Sequence, residues 1–306
     1  MIPVYPMGRV SSTMGCAFFG DVKKVMIIRL MSEQDLSFAA ESTVAEGWAS
    51  ETREVFESLM AYHPGGCFIA EEDGQRIGMI VALPYRTSGF LGELIVRKDA
   101  RGKMVGPRLF HHAIQYLQDR GIDSIYLDGV EAATPYYAHV GFRRICHSLR
   151  FIGPIKGRAH PSVRPMSAQD LDAVASMDQK YFGDDRRFFL EWKWSHYPAY
   201  CKVMESGNRI TGFILGMKGD GIVCAGPWVV EESVQRPVDL LESLALETGE
   251  TEIRIGVLEN NKWALQTVRA IPSLRTQHAI WRMVLGTSER LGVSEACWAI
   301  GSPAKG

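Results

Sequence analysis

The sequence predicts a duplicated α+β chain, two tandem units in which strands and helices alternate in the same order, and three observations predict it. Arg29-Leu-Met-Ser-Glu-Gln-Asp-Leu36 recurs 135 residues on as Arg164-Pro-Met-Ser-Ala-Gln-Asp-Leu171, with six of eight residues identical. The register then holds, because Asp73-Gly-Gln-Arg-Ile-Gly78 is echoed by Ser206-Gly-Asn-Arg-Ile-Thr-Gly212, and Leu94-Ile-Val96 by Trp228-Val-Val230. A period this long marks a duplicated domain, since solenoid repeats are far shorter. Finally, 306 residues with 46% hydrophobic content suit two ordinary cores better than one.

Each unit opens on an apolar strand followed by Ser-x-x-Asp, a helix-capping signature: Ser32 with Asp35, and Ser167 with Asp170. In the first unit, helix-like segments follow near 33–46 and 51–61, then strands near 67–72 and 76–83 joined across an Asp73-Gly74 turn. A strand at 89–97, a helix over 104–120, a strand at 125–128, a short helix near 133–140 and a strand at 142–151 complete it. The domains therefore read as 26–151 and 162–287, joined by a Gly- and Pro-bearing linker at 152–161. Residues 288–306 form a tail whose Cys297-Trp-Ala-Ile300 run is expected to add a strand or cover the domain junction. Residues 1–25 read as a loosely attached extension or an upstream start, because Met26-Ile-Ile-Arg-Leu-Met-Ser is a natural beginning for a first strand.

Bulk properties narrow the class of function. The formal charge is −1 and no Lys/Arg stripe appears, which argues against nucleic acid or an anionic membrane as the main partner. Apolar stretches are strand-sized, well below the roughly 18 to 20 residues of a spanning helix. The leader has no positive start of the secretory kind, so a cytoplasmic, soluble protein is expected. Six cysteines, at 16, 67, 146, 201, 224 and 297, lack zinc spacing and read as buried reduced thiols.

Chemistry concentrates in Val96-Arg-Lys-Asp-Ala-Arg101-Gly102-Lys103-Met104-Val105-Gly106-Pro107, which runs from a strand through a glycine-bearing loop into a helix. The first N–H groups of a helix lack intrahelical partners and its dipole is positive there, so such a loop can cradle a diphosphate. Neither a Walker loop nor the dinucleotide-binding Gly-x-Gly-x-x-Gly is present. About thirty residues on, Tyr136-Tyr137-Ala-His-Val-Gly141-Phe142 reads as a short helix closed by a left-handed glycine, with an aromatic opening the next strand.

Taken together, these two segments resemble the GNAT (GCN5-related N-acetyltransferase) superfamily. Arg101-x-x-Met104-x-Gly106 matches its Arg/Gln-x-x-Gly-x-Gly/Ala loop, with Met104 where the family usually has glycine, and Tyr137 to Phe142 matches its Tyr-x-x-x-Gly-Phe step. The resemblance implies two tandem GNAT-like domains, each a mixed, mostly antiparallel twisted sheet flanked by helices, over residues 27 to 285. It implies acetyl-CoA as co-substrate and no metal. Leu94, Ile95 and Val96 would pair with pantetheine through their main chain, and Arg101, Gly102, Lys103, Met104, Val105 and Gly106 would hold the diphosphate. Tyr137 would be the acid that protonates the departing sulfur, since a phenol of pKa about 10 stays protonated at neutral pH. Glu93, just before Leu94 on the cleft strand, is the candidate base, acting through water; His111, His112 and His139 are alternatives in residue type alone.

The second copy departs where chemistry would occur. Gln235 keeps the first loop position, but both glycine positions are lost and Glu231 and Glu232 crowd the cradle. Asn261-Lys-Trp-Ala264 resembles the family's Asn-x-x-Ala helix, yet Val268 replaces the tyrosine and Ile271-Pro-Ser replaces Gly-Phe. A degenerate second domain is the expectation.

The function this implies is acetyl transfer to a primary amine of a small molecule or a protein terminus by direct attack in a ternary complex. The second copy would shape the acceptor site or a homodimer, with acceptor contacts drawn from Trp48 to His63. Two other readings stay open: a non-catalytic acyl-CoA sensor or scaffold, and a catalytic second domain with CoA near Gln235.

Overall fold

The computed structural model describes residues 25–306 except 49, 250 and 289, so the expectations placed on residues 1–24, Cys16 among them, lie outside the described residues. The first half runs β1 (Met26–Leu30), α1 (Leu36–Ala45), α2 (Arg53–Tyr62), β2 (Cys67–Glu72), β3 (Gln75–Pro84), β4 (Gly89–Val96), α3 (Val105–Gln118), β5 (Ile125–Gly129), α4 (Thr134–His139) and β6 (Arg143–Gly153). The second repeats that order as β7 (Val163–Pro165), α5 (Leu171–Phe182), α6 (Arg187–His196), β8 (Cys201–Ser206), β9 (Arg209–Lys218), β10 (Ile222–Val230), α7 (Val238–Ala245), β11 (Glu252–Leu258), α8 (Lys262–Arg269) and β12 (Arg275–Leu285). A short β13 (Cys297–Ala299) follows.

Local signals act as their chemistry dictates. Ser32 and Asp35 form a capping box, as do Ser167 and Asp170, each ahead of a single 3-10 turn that leads into α1 or α5. Arg29 and Arg164 bind these aspartates at 2.7 Å, so the repeated motif is a structural clamp in both copies. Asp73 and Gly74 take φ of 51° and 75°, the left-handed pair of a tight hairpin. In α3 the buried residues Val105, Leu109, Phe110, Ala113, Ile114 and Leu117 recur at helical spacing and cover the sheet.

The sheet is one continuous layer in the order β1-β2-β3-β4-β5-β12-β6-β11-β10-β9-β8-β7. Its pairings are antiparallel except β4 with β5 and β10 with β11. The last strands are exchanged: β12 completes the first half beside β5, and β6 completes the second beside β11. The sequence limits 26–151 and 162–287 therefore do not bound the two halves in space, and Ile152 and Gly153, read as linker, belong to β6. His160 pins the true connection to α7, with Nε2 2.7 Å from Glu242 and Nδ1 3.5 Å from Asp239.

Buried polar bonds lock the exchange. Arg282 of β12 and Asp128 of β5, both fully buried, pair through Nε and through Nη2 at 3.3 Å, and Arg282 also donates to the Leu291 carbonyl at 3.2 Å. Asp184 of the second half accepts the backbone N–H groups of Arg86, Thr87 and Ser88 at 2.8–3.0 Å, fixing the β3–β4 loop. Among the described residues no helix is long and apolar enough to cross a membrane.

Candidate active site

β4 is where the sheet opens. It pairs with β5 only over Gly89–Leu91, and beyond that no strand among the described residues lies along its β5 side. Gly92 faces Val81 and Ile95 faces Met79, so Glu93 and Leu94 bulge opposite the single residue Ile80. Glu93 has φ 54°, a conformation that costs a residue with a Cβ about 1–2 kcal/mol. The bulge thus leaves the main chain of 92–96 without a neighbouring strand on the side where an amide-bearing ligand would add one.

The loop from β4 to α3 sits at the end of this opening. Arg101 to Met104 are exposed, and Val105 is buried against the sheet. Met104 takes φ 62°, the left-handed geometry that explains why a glycine is usual there, and its exposed side chain leaves the loop's inner face clear. Arg101 is already engaged: its Nε donates to the Val96 carbonyl at 3.0 Å and its Nη2 binds Glu46, so it braces the loop. At Gly106 an added Cβ would meet only Val96, at 3.5 Å, so packing does not require glycine there.

Tyr137 reaches the same opening from α4. Its ring packs on Phe110 at 5.0 Å and lies over Gly129, where a Cβ would come within 2.7 Å of it. Burial, helped by neighbouring Tyr136, pushes its phenol up to about 12, so it stays protonated across the neutral range. The helix closes on Gly141 at φ 106° with Phe142 buried, as the sequence pattern anticipates. His111, His112 and His139 are exposed and do not line the opening.

A cavity of about 410 Å³ joins the β4 bulge to Tyr137; of the residues expected to hold the carrier only Leu94 lines it, Ile95, Val96 and the loop from Arg101 to Gly106 lying outside its walls. Leu94, Glu93, Tyr137 and Val130 form one wall, and Trp48, Ser50 and Glu51 from the α1–α2 connection form another. The acceptor-side expectation for Trp48 to His63 thus falls on the cavity at Trp48, Ser50 and Glu51. A third wall holds Asp128, Arg150, Arg254 and His278 from the strands around the exchange. Sequence reasoning missed Arg150 and Arg254; a charged residue inside an otherwise strand-like segment was the one available signal for them.

Glu93 is buried, and neither carboxylate oxygen has a hydrogen-bond partner. Lys305 Nζ stands 3.6 Å from it and 2.6 Å from Glu51. Burial and the adjacent Glu51 charge hold the Glu93 carboxyl well above the carboxylate range, against the opposing pull of Lys305. Burial works against Glu51 as well, but Lys305 keeps that carboxyl ionised below its usual range. The cluster is therefore a Glu51–Lys305 ion pair with the Glu93 carboxyl, its pKa raised, beside it. Lys305 arrives on segment 301–306, which runs over the β4 bulge: a Cβ on Gly92 would strike Ala304 at 2.6 Å, and Tyr85 donates to the Lys305 carbonyl at 2.5 Å.

The second half lacks this opening. β13 pairs with β10 at Trp228 and Val229, and Ile300 N–H donates to the Gly256 carbonyl of β11 at 2.9 Å, so the gap between β10 and β11 is filled by the chain itself. Asn261 holds the plug, its Nδ2 donating to the Glu295 and Cys297 carbonyls at 2.7 and 3.0 Å. Gln235 is exposed ahead of an α7 of 8 residues, against 14 for α3.

Residues 29–142 match the acetyltransferase (GNAT) family, and residues 174–296 match an acetyltransferase (GNAT) domain. The chain belongs to the GNAT superfamily, as a tandem-domain member. A curated relative, holothin acyltransferase of Pseudoalteromonas sp., is 23% identical over 186 residues, which are 60% of this chain and 62% of that protein. A putative acetyltransferase from Pyrococcus horikoshii superposes with a TM-score of 0.78 at 23% identity, covering 92% of this chain and 96% of that one. A tandem GNAT protein from the clavulanic acid biosynthesis pathway gives 0.61 at 12% identity, covering 87% and 100%. Acyl transfer is the general chemistry of this GNAT family, with an acyl-CoA as its general donor.

Proposed function

We propose that the protein is an acetyl-CoA-dependent N-acetyltransferase whose first half carries out direct transfer to an amine of a small molecule or a protein terminus. The observation that carries this reading is the convergence, on one cavity, of the half-unpaired β4 bulge and Tyr137, with the exposed α3 loop at its end. These parts suit the carrier: main-chain groups along 92–95 that face no strand on the β5 side for its amides, and a helix N-terminus for its diphosphate. The carrier supplies the acetyl group as a thioester.

The residues divide the remaining work. A backbone N–H of the Leu94 to Val96 segment polarises the acyl oxygen. Glu93, through water, takes the proton the attacking nitrogen sheds as the C–N bond forms and the C–S bond breaks. Tyr137 gives its phenolic proton to the leaving thiolate.

The test is release of the CoA thiol across a panel of amines, with its pH dependence. A base must be ionised to act, and a raised pKa means activity is lost as pH falls through that raised value. The acid limb of kcat/KM is therefore expected above the ordinary carboxylate range. Glu51→Gln removes the like charge and leaves Lys305 to Glu93, so the limb should move to lower pH; an unmoved limb removes Glu93 from the role. CoA binding with no turnover of any amine would favour the sensor reading instead.

A further inference from the structure

The cavity wall contributed by the strands around the exchange is strongly and unequally charged. Arg150 and Arg254 line it with His278 and a single carboxylate, Asp128, which Arg150 reaches from the cavity side and Arg282 from within the protein. Arg282 takes that carboxylate in a two-point pair inside the protein. Arg150, with its side chain 4% exposed, reaches Asp128 only at 3.4 Å and spends its other nitrogen on Ser148 Oγ at 2.8 Å. Arg254 has no side-chain partner among the described residues, and its Nε is buried and unsatisfied. His278 stands at the exposed rim, on a β12 bulge that sets Gln277 and His278 opposite Arg150.

A buried N–H without an acceptor is costly, and at the half-buried Arg254 an incoming oxyanion would supply the one its Nε lacks. The planar fork of arginine matches the two oxygens of a carboxylate or phosphate. Burial, with Arg282 and Arg254 nearby, lowers the Arg150 guanidinium to about 10, and burial plus Arg150 and Arg254 lowers the His278 imidazole, both consistent with surplus positive charge. The Glu51, Glu93 and Lys305 cluster belongs to other walls of the same cavity and contributes no compensating anion to this one in the described contacts.

We propose that the acceptor is an amine that also carries an oxyanion group, a carboxylate or a phosphate, and that Arg150 and Arg254 bind that group while its nitrogen lies toward Glu93. The inference rests on reading the cavity as the transfer site and adds a substrate class to it. It also gives the strand exchange a role, since Arg254 of β11 faces the first half's cleft only because β6 and β12 cross between the halves.

The test is calorimetric binding, without turnover, of matched probes to the CoA-loaded protein: phosphoethanolamine against ethanolamine, and 4-aminobutyrate against butylamine. The anionic member of at least one pair should bind tenfold or more tighter than its neutral partner. Arg254→Gln, which removes a side chain with no partner and should leave the melting temperature unchanged, should erase that preference while the CoA titration stays the same. Equal binding within both pairs, no binding of either anionic probe, or a preference that survives Arg254→Gln would overturn the proposal. So would a loss of CoA affinity in that variant, since the arginine would then serve the donor. Failure of CoA to bind the wild-type protein is read in the preceding titration and counts against the transferase reading itself.

Discussion

Tyr137→Phe should lower kcat by about a hundredfold or more, the usual scale for removing a general acid, while the Kd for CoA stays within about twofold. The phenyl ring keeps the contact with Phe110 and the close approach over Gly129, so the helix and cleft are retained and only the proton is lost. The loss should be constant across the neutral range, because burial holds the phenol protonated to about 12. Single-turnover release of the CoA thiol, set beside a binding titration, separates the two quantities. Undiminished turnover would mean the leaving thiolate takes its proton from elsewhere.

Arg282→Met should destabilise the fold by about 3–5 kcal/mol, the cost of leaving a buried charge without its partner. Asp128, its side chain buried at the cavity wall, would keep only Arg150, at 3.4 Å. Because the pair spans β5 and β12, the loss falls on the exchanged strand. Replacing both partners, Arg282→Met with Asp128→Leu, should recover only part of the stability, since apolar residues can replace a buried pair but Arg150 then loses its carboxylate. Urea unfolding of the three proteins decides it: a single-mutant loss below about 1 kcal/mol would place the lock elsewhere, in contacts such as those of Asp184.

What the sequence disclosed was mostly local. The turn at Asp73-Gly74, the two capping boxes and the helix stop at Gly141 each depend on a few adjacent residues, and each adopts the geometry its side chains require. The repeat disclosed two similar halves, and the lost glycines around Gln235 disclosed that the second is altered. The strand exchange was not legible. A strand's alternation says which face is buried but not which edge it joins. β6 and β12 occupy equivalent positions in their copies, and nothing in either pattern selects the neighbour. The cavity's charges were hidden for a related reason: Lys305 and Glu51 are 254 residues apart, and Arg254 meets the first half's cleft only across the exchanged strands.

Calorimetric titration with acetyl-CoA, on the wild type and on Gly106→Leu, tests the central claim most directly. One cleft is open and its counterpart is filled by β13, so one molecule should bind per chain. Gly106→Leu, whose Cβ meets only Val96 at 3.5 Å, should keep the melting temperature and lose at least tenfold in affinity. Two molecules per chain, none, or an unchanged affinity in that variant would contradict the assignment of the cleft to the first half.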